Sequence, residues 1–432
     1  AGGPSYRSPH EHLGGGLHLW YWSWSPVVEV TARDCVFENN YAEEAGGGVY
    51  SHRLDDLTLT GCRLIANGSR GHGGGLYVTF GCAQLVNCRF YRNSAGRQGG
   101  GGACQENDNV TLSNCTLTNN MAHSAGGGMA ITGSPTKLFD CTFRDNRAEV
   151  SGGGIDLITE DSMEAVGCCF VSNRAGNRGG AIRSSIFDQV DLTHCLFCGN
   201  TAGDKGGGIW RILGELTMIN CTAFGNRAAQ GGTLFDETPR DTGTYTRGWA
   251  SIRNSIIMGN GAQISNDFGL VSIEHTSLAG GQSAIADSSG FVVWGAGNTD
   301  ADPCLADPGY WDPNGTPDDP QDDFSIAGDY HLKSQAGRWD EASGSWVQDD
   351  VTSPCIDAGD PNSPIMYEPF PSGGVVNMGA YGGTTQASKS YFGEPLCETI
   401  IAGDINGDCR VDLADIIILL DHWLQSGEKA EE

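Results

Sequence analysis

The 432-residue sequence predicts an all-β fold, a parallel β-helix of about ten coils, followed by an irregular region and a small loop-helix. Three recurrences carry this reading. Eight cysteines, Cys35, Cys62, Cys88, Cys115, Cys141, Cys168, Cys195 and Cys221, stand 26 or 27 residues apart. An asparagine lies five residues after each one: Asn40, Asn67, Asn93, Asn120, Asn146, Asn173, Asn200 and Asn226. Glycine runs come next, at 46–48, 73–75, 126–128, 152–154 and 206–208. Ser255 replaces the cysteine in a later repeat and keeps Asn260 five residues on, and Thr276 opens a further, degenerate coil.

Each element of the repeat has a physical reason. A period this short does not reach the roughly 34 residues of a paired-helix repeat. Glycine triplets oppose helix, and segments such as Leu57-Thr58-Leu59-Thr60 alternate apolar and polar residues, the period of a strand with one buried face. Short strands at constant spacing stack as rungs about 4.8 Å apart. The asparagine column then bonds from rung to rung in a turn that tolerates left-handed geometry. The cysteines and the Phe or Leu two residues on, as in Phe37, Leu64, Phe90 and Phe143, point inward. The ladder cysteines read as buried thiols filling the core, because in-register side chains stand too far apart for disulfides.

Composition sets limits on function. Aspartate and glutamate number 53 against 25 lysines and arginines, giving a net charge of -28. That balance excludes a nucleic-acid binder, which needs cationic surface, and disfavours anionic membranes. No run approaches the roughly 20 apolar residues of a membrane span. The chain begins Ala1-Gly2-Gly3-Pro4 without a charged and apolar leader. A leader and upstream coils are therefore missing, or residues 1 to about 13 form a short cap.

The motif N-C-x-F-x-x-N-x-A followed by a glycine run resembles right-handed parallel β-helix proteins of bacterial surfaces and secretions. The resemblance covers residues 1–290 and implies right-handed coiling and an extracellular or cell-surface location in a bacterium. That fold hosts lyases, hydrolases, adhesins and structural spikes, so activity must be argued from sites.

Residues 291–395 are rich in Asp and Pro, and they read as a cap over the last rung, whose open strand edges need cover. Within them Asp312, Asn314, Asp318 and Asp319 cluster on a loop suited to a hard cation such as Ca2+, or to plain solvation. Cys304 with Cys355, and Cys397 with Cys409, are the candidate disulfides. Residues 396–432 carry the sharpest motif. Asp404, Asn406, Asp408, Arg410, Asp412 and Asp415 occupy positions 1, 3, 5, 7, 9 and 12 of an EF-hand-like loop, with Arg410 contributing only its carbonyl. The closing Asp resembles the dockerin variant of that loop, which implies Ca2+ binding. A dockerin carries two such units; one is visible here.

No catalytic set emerges. Asn298-Thr299-Asp300 and Gly71-His72-Gly73 match two polygalacturonase segments, but in reversed order. Asp156, Arg183 and Arg211 read as outward positions that a lyase could use. With Leu17 and Leu19 inward, Trp20, Trp22 and Trp24 face outward, and one outward column continues through Tyr50, Tyr77, Ile182 and Trp210. Such aromatics stack on sugars, meet a protein partner, or pack locally. The expectation is a non-catalytic extracellular structural or surface protein. It binds itself or another extracellular protein, and it self-assembles through β-helix and C-terminal contacts. The alternatives are a polysaccharide lyase, a glycoside hydrolase or a glycan-binding adhesin.

Overall fold

A computed structural model describes the chain apart from residues 1–12, 22–27, 159–161, 186–187, 239–247, 289–290, 317–322, 394–402, 404, 406–409 and 424–432. The fold is an all-β, right-handed parallel β-helix with one short helix near its C-terminus. Among the described residues, four parallel sheets run along the solenoid, of eleven, eleven, ten and seven strands. A typical coil passes from Val49–His52 in the first sheet to Asp56–Thr60 in the second, Arg63–Ile65 in the third and Gly68–Ser69 in the fourth.

Register explains the core. Leu17, Val49 and Leu76 stack in the first sheet, and Leu57, Ala83 and Val110 in the second. Phe143, Phe170 and Phe197 stack in the third sheet with ring centroids 5.1 and 4.9 Å apart. These residues point into one continuous interior. Cys62, Cys88, Cys115, Cys141, Cys168, Cys195 and Cys221 are buried there as free thiols, and Cys35 is half-buried. Most turn their Sγ to a carbonyl of the preceding coil, as Cys88 does to Leu59 O at 3.3 Å.

The asparagines bond in series. Asn146 accepts from the backbone N and Nδ2 of Asn120 at 3.1 and 3.0 Å, and donates Nδ2 to Asn173 Oδ1 at 3.0 Å. The left-handed residue of this turn is not the asparagine but its predecessor: Asn39, Ala66, Arg92, Asn119, Asp145 and Ser172 all have positive φ. The glycine runs form the corner into the first sheet. A Cβ on Gly47 would meet the carbonyl oxygens of Gly68 and Gly74, so this corner closes only around glycine.

Among the described residues, the region after the solenoid adds no strand over its last rung, as a cap would. It folds back along the side, onto outward residues of the third sheet. Leu305, Tyr330, Leu332, Cys355, Ile356 and Met378 pack with Cys198 and Ile256, flanked by Leu196, Phe224 and Met258. Asn220 Nδ2 donates to Asn377 O at 2.9 Å, and Arg253 pairs with Asp360 at 3.4 Å. A lateral site wins because the outward columns turn apolar there, from Arg63, Arg89 and Thr116 to Cys169, Leu196 and Ile256. Burying that apolar surface is favourable wherever it lies. Among the described residues, the strands Ile285–Asp287 and Val292–Trp294 are therefore the last of their sheets.

Candidate functional site

The candidate site is the outer face of the first sheet. Its outward column runs His18, Tyr50, Tyr77, Ala103, Ala130, Asp156, Arg183, Trp210 and Phe235. Ile182, expected in this column, belongs to the inward one with Leu17. Its coil has Ala181 where others have the third glycine, which displaces the count by one.

At the N-terminal end the aromatics form a stack. Trp20 lies parallel to Tyr50 at 6.3 Å and over His52 at 4.2 Å, and Tyr50 stacks on Tyr77 at 5.7 Å. Tyr50 is thereby buried rather than exposed, and burial pushes its hydroxyl up to about 12. Tyr77 donates its hydroxyl to Gln105 Oε1 at 2.7 Å. Beside the stack runs a groove of about 740 Å³, lined by Trp20, Tyr50, Tyr77, Glu43, Glu44, Arg70, His72 and Arg97. The side chains of the fourth-sheet turn form its far wall. Burial, then the nearby Arg97 charge, holds His72 below the usual imidazole range. The groove thus offers ring edges, two carboxylates and two guanidiniums. Trp22 and Trp24 lie outside the described residues.

Further along, the face closes on itself. Asp156 is fully buried and accepts from Arg183 Nη1 at 2.8 Å. Burial pushes its carboxyl up to about 6, against the pull of Arg183. Trp210, expected to be exposed, is also buried. Arg178 and Arg183 lie over its ring at 4.9 and 5.7 Å, and its Nε1 donates to Glu237 at 2.9 Å. Cation–π contacts of this kind tie the ring down. Arg211 was expected outside and stands inside, in the column of Val78, Cys104, Ile131 and Leu157. It pairs there with Asp236 at 2.6 Å.

The two loops read as cation sites are only partly described. Asp312 Oδ1 accepts from Asn314 N at 2.8 Å, an Asx turn with Asn314 in left-handed geometry; Asp318 and Asp319 lie outside the described residues. Of the C-terminal set, Asp404, Asn406 and Asp408 lie outside them as well. Asp412 Oδ1 accepts from Ala414 N at 2.8 Å, and Asp415 accepts from Asp412 N at 2.7 Å and Ile405 N at 2.6 Å. The pair acts as a reciprocal cap on helix α1, Leu413–Trp423. Among the described residues no three His, Cys, Asp or Glu are grouped to hold a metal.

The Cys304–Cys355 bridge is not formed. Cys304 turns its Sγ to Asp302 O at 3.6 Å, its amide held by the Asp302 carboxylate, while Cys355 is buried in the lateral core. Cys397 and Cys409 lie outside the described residues.

Sequence reasoning also missed how the lateral region docks. The hairpin of Tyr310–Asp312 and Phe324–Ile326 rests on Gly199 and Gly225. Both occupy the left-handed column that holds side chains in earlier coils, and both leave room, for Ser325 and Trp311 respectively. That switch to glycine was the signal.

Comparison with known proteins agrees with this architecture. Residues 16–182 match the family model of a right handed beta helix region. Residues 194–210 match the Chlamydia polymorphic membrane protein repeat, and residues 314–359 match a family described as disaggregatase related. No curated protein matches the chain. No helix among the described residues is long and apolar enough to cross a membrane.

Proposed function

We propose that this chain is an extracellular, surface-associated β-helix that acts by presenting its outer faces and ends to partners, not by catalysis. The matches to a right handed beta helix region and to a polymorphic membrane protein repeat support a surface protein. In the finer reading the partner is a second copy, and contact is end to end and through the C-terminal helix.

One observation carries the finer reading. Among the described residues no further strand is paired beyond the last rungs, Ile285–Asp287 and Val292–Trp294, and the following region packs on the side. Val293 is exposed on that edge. Open edges are templates for pairing, and a head-to-tail contact extends without closing. Helix α1 adds an apolar surface, with Leu413, Ile416, Ile417, Leu419 and Leu420 all exposed. Ca2+ would order the loop before it, held by Asp404, Asn406, Asp408, Asp412 and Asp415 and the Arg410 carbonyl. The spacing of those residues and the burial of Asp415 support that assignment.

The test is the oligomeric state of the purified chain in millimolar Ca2+ and in chelator. Concentration-dependent association supports the reading; a monomer under all conditions removes self-association.

The aromatic groove favours a second reading, a glycan-binding adhesin. Tyr50 and Tyr77 are stacked face to face, so a sugar would meet ring edges, with Trp20 as the terminal ring of the stack. Replacing Trp20, Trp22 and Trp24 by alanine without loss of glycan binding removes this reading.

A further inference from the structure

The lateral region leaves part of the third sheet open. Its core packs on outward residues from Leu196 onward, away from the first coils of that sheet. Two outward columns run side by side through those coils. One holds Val36, Arg63, Arg89 and Thr116, the other Glu38, Ile65, Tyr91 and Thr118. Arg63 and Arg89 are exposed, and Ile65 and Tyr91 are half-buried.

Register sets four of these side chains in a two-by-two block. Arg63 and Arg89 are partners in adjacent parallel strands about 4.8 Å apart, and Ile65 and Tyr91 are partners about 6.6 Å further along the same strands. One side of the block is cationic and the other apolar. The Arg92 guanidinium lies over one face of the Tyr91 ring at 4.9 Å. Before the arginines, Asn87 and Asn114 project from successive turns, both exposed, and Asn114 Nδ2 donates to Asn87 Oδ1 at 2.7 Å. That bond leaves Asn87 Nδ2 and Asn114 Oδ1 for other partners.

Charge shows what the block lacks. Arg183, Arg211, Arg227, Arg253 and Arg338 each hold an acidic partner. Among the described residues Arg63 and Arg89 make no ion pair and no side-chain hydrogen bond, although acidic residues outnumber basic ones 53 to 25. Glu38 stands opposite Ile65 and does not pair with Arg63. Like charges side by side in a sheet destabilise it, and an oxyanion between the two guanidiniums reverses that sign. A chain of net charge -28 repels a dense polyanion, so the ligand must carry few charges.

We propose that this block binds a sparsely charged glycan, holding a carboxylate or sulfate ester between Arg63 and Arg89 and laying a sugar ring on Ile65 and Tyr91. The planar guanidinium fork matches either oxyanion. An acidic peptide would meet the arginines equally well. The apolar pair on one side and the amides of Asn87 and Asn114 on the other favour a ring with hydroxyls on its rim. This ligand rests on the reading that the chain presents its outer faces, and it gives one of those faces its partner. Self-association is read from the oligomeric state and the Trp20 groove from its own variants, so each reading fails separately.

The experiment titrates the whole purified chain with three matched oligosaccharides, neutral, with one uronate and with one sulfate ester, and with a short peptide carrying one glutamate. At least one anionic sugar should bind about tenfold more tightly than the neutral one, a difference that shrinks as salt rises. Which of the two binds identifies the acid group. Arg89→Gln should erase the preference for the anionic sugar, and Arg89→Lys should keep part of it. Tyr91→Ala should weaken neutral and anionic sugars alike, and Tyr77→Ala, in the other groove, should change neither. Arg89→Gln should also leave the unfolding midpoint unchanged or raise it, since no internal partner is lost; a lowered midpoint would reveal such a partner and overturn the site. Equal binding of all three sugars, no binding of any, or an Arg89→Gln variant that keeps the preference would overturn it too. A peptide that binds as tightly as the anionic sugar would assign the face to a protein partner instead.

Discussion

Arg211 and Asp236 meet inside the solenoid at 2.6 Å, both fully buried, in an inward column that holds Val78, Cys104, Ile131 and Leu157 in earlier coils and Ser184 and Asn266 on either side of the pair. Arg211 Nη1 also donates to Gly214 O at 2.5 Å, so the pair is tied to the turn leaving the sheet. Burial pushes the Asp236 carboxyl up and the Arg211 guanidinium down, and each partner pulls the other back. Breaking such a pair strands a buried charge. Arg211→Met should destabilise the fold by about 3–5 kcal/mol, whereas Arg211→Met with Asp236→Leu should recover most of the loss. Chemical denaturation of the single and double variants measures both. A single variant as stable as the parent would contradict the assigned geometry.

The asparagine ladder should be sensitive at its centre. Asn146 donates Nδ2 to Leu117 O at 2.8 Å and links Asn120 to Asn173. Asn146→Ala removes these bonds and leaves buried amides of Asn120 without their acceptor. The expected loss is about 2–4 kcal/mol. Asn40→Ala, at the half-buried end of the ladder, should lose less. Midpoints of urea unfolding compare the two; equal losses would argue against a gradient set by burial.

Docking of the lateral hairpin depends on Gly199. Its φ is +63°, and an added Cβ would run into Ser325. Gly199→Ala should lift the hairpin and raise amide exchange at Trp311 and Ser325, while the Phe143–Phe170–Phe197 core stays protected. Ala66 and Ser172, at the same turn position in earlier coils, already carry side chains in left-handed geometry. Hydrogen exchange by mass spectrometry reads the contrast, and uniform protection in the variant would refute this docking mode.

Two buried carboxyls set a pH dependence. Glu368 accepts from Asn377 N and Gly383 N at 2.8 Å, yet burial pushes its carboxyl up to about 7; burial also pushes Asp156 up to about 6. A raised carboxyl holds its proton more tightly folded than unfolded. Its stabilising contribution is complete below the unfolded values, 4.5 and 3.8, and is lost as pH rises through the folded ones. Stability should therefore climb as pH falls from about 7 to about 4.5. Asp329 behaves oppositely. Burial raises it, but its bonds to His331 and the Arg338 charge outweigh that and hold it low, so its contribution disappears on further acidification. Glu368→Gln should flatten the climb in thermal unfolding followed across pH. An unchanged pH profile in that variant would assign the climb elsewhere.

Much of the solenoid was legible because its signals are periodic. Cysteine, asparagine and glycine columns mark the inward face, the rung-to-rung turn and the tight corner, and each can be counted. The outward face was harder. Ala181 replaces a glycine, so counting from the glycine run placed Ile182 on the wrong side, and it hid Arg183 from the column of Trp210. Arg211 looked like a surface residue because its partner, Asp236, lies a full coil away, in a stretch where the inward column turns polar from Ser184 to Asn266. The side-packed region had a readable cue in Leu196, Phe224, Ile256 and Met258, apolar residues at outward positions. Alternation alone does not reveal it, since a strand buried on both faces has no period. The stacking of Tyr50 between Trp20 and Tyr77 depends on ring orientation, which spacing does not encode.

The proposal that the chain works by presenting surfaces rests above all on the rungs Ile285–Asp287 and Val292–Trp294, the last paired strands among the described residues. Electron microscopy of the purified protein, with millimolar Ca2+ and then with chelator, tests it most directly. The account predicts rods joined end to end in Ca2+ that shorten when it is removed, and that a charged substitution on the edge, Val293→Lys, keeps single. Isolated rods of one length at every protein and Ca2+ concentration would contradict it.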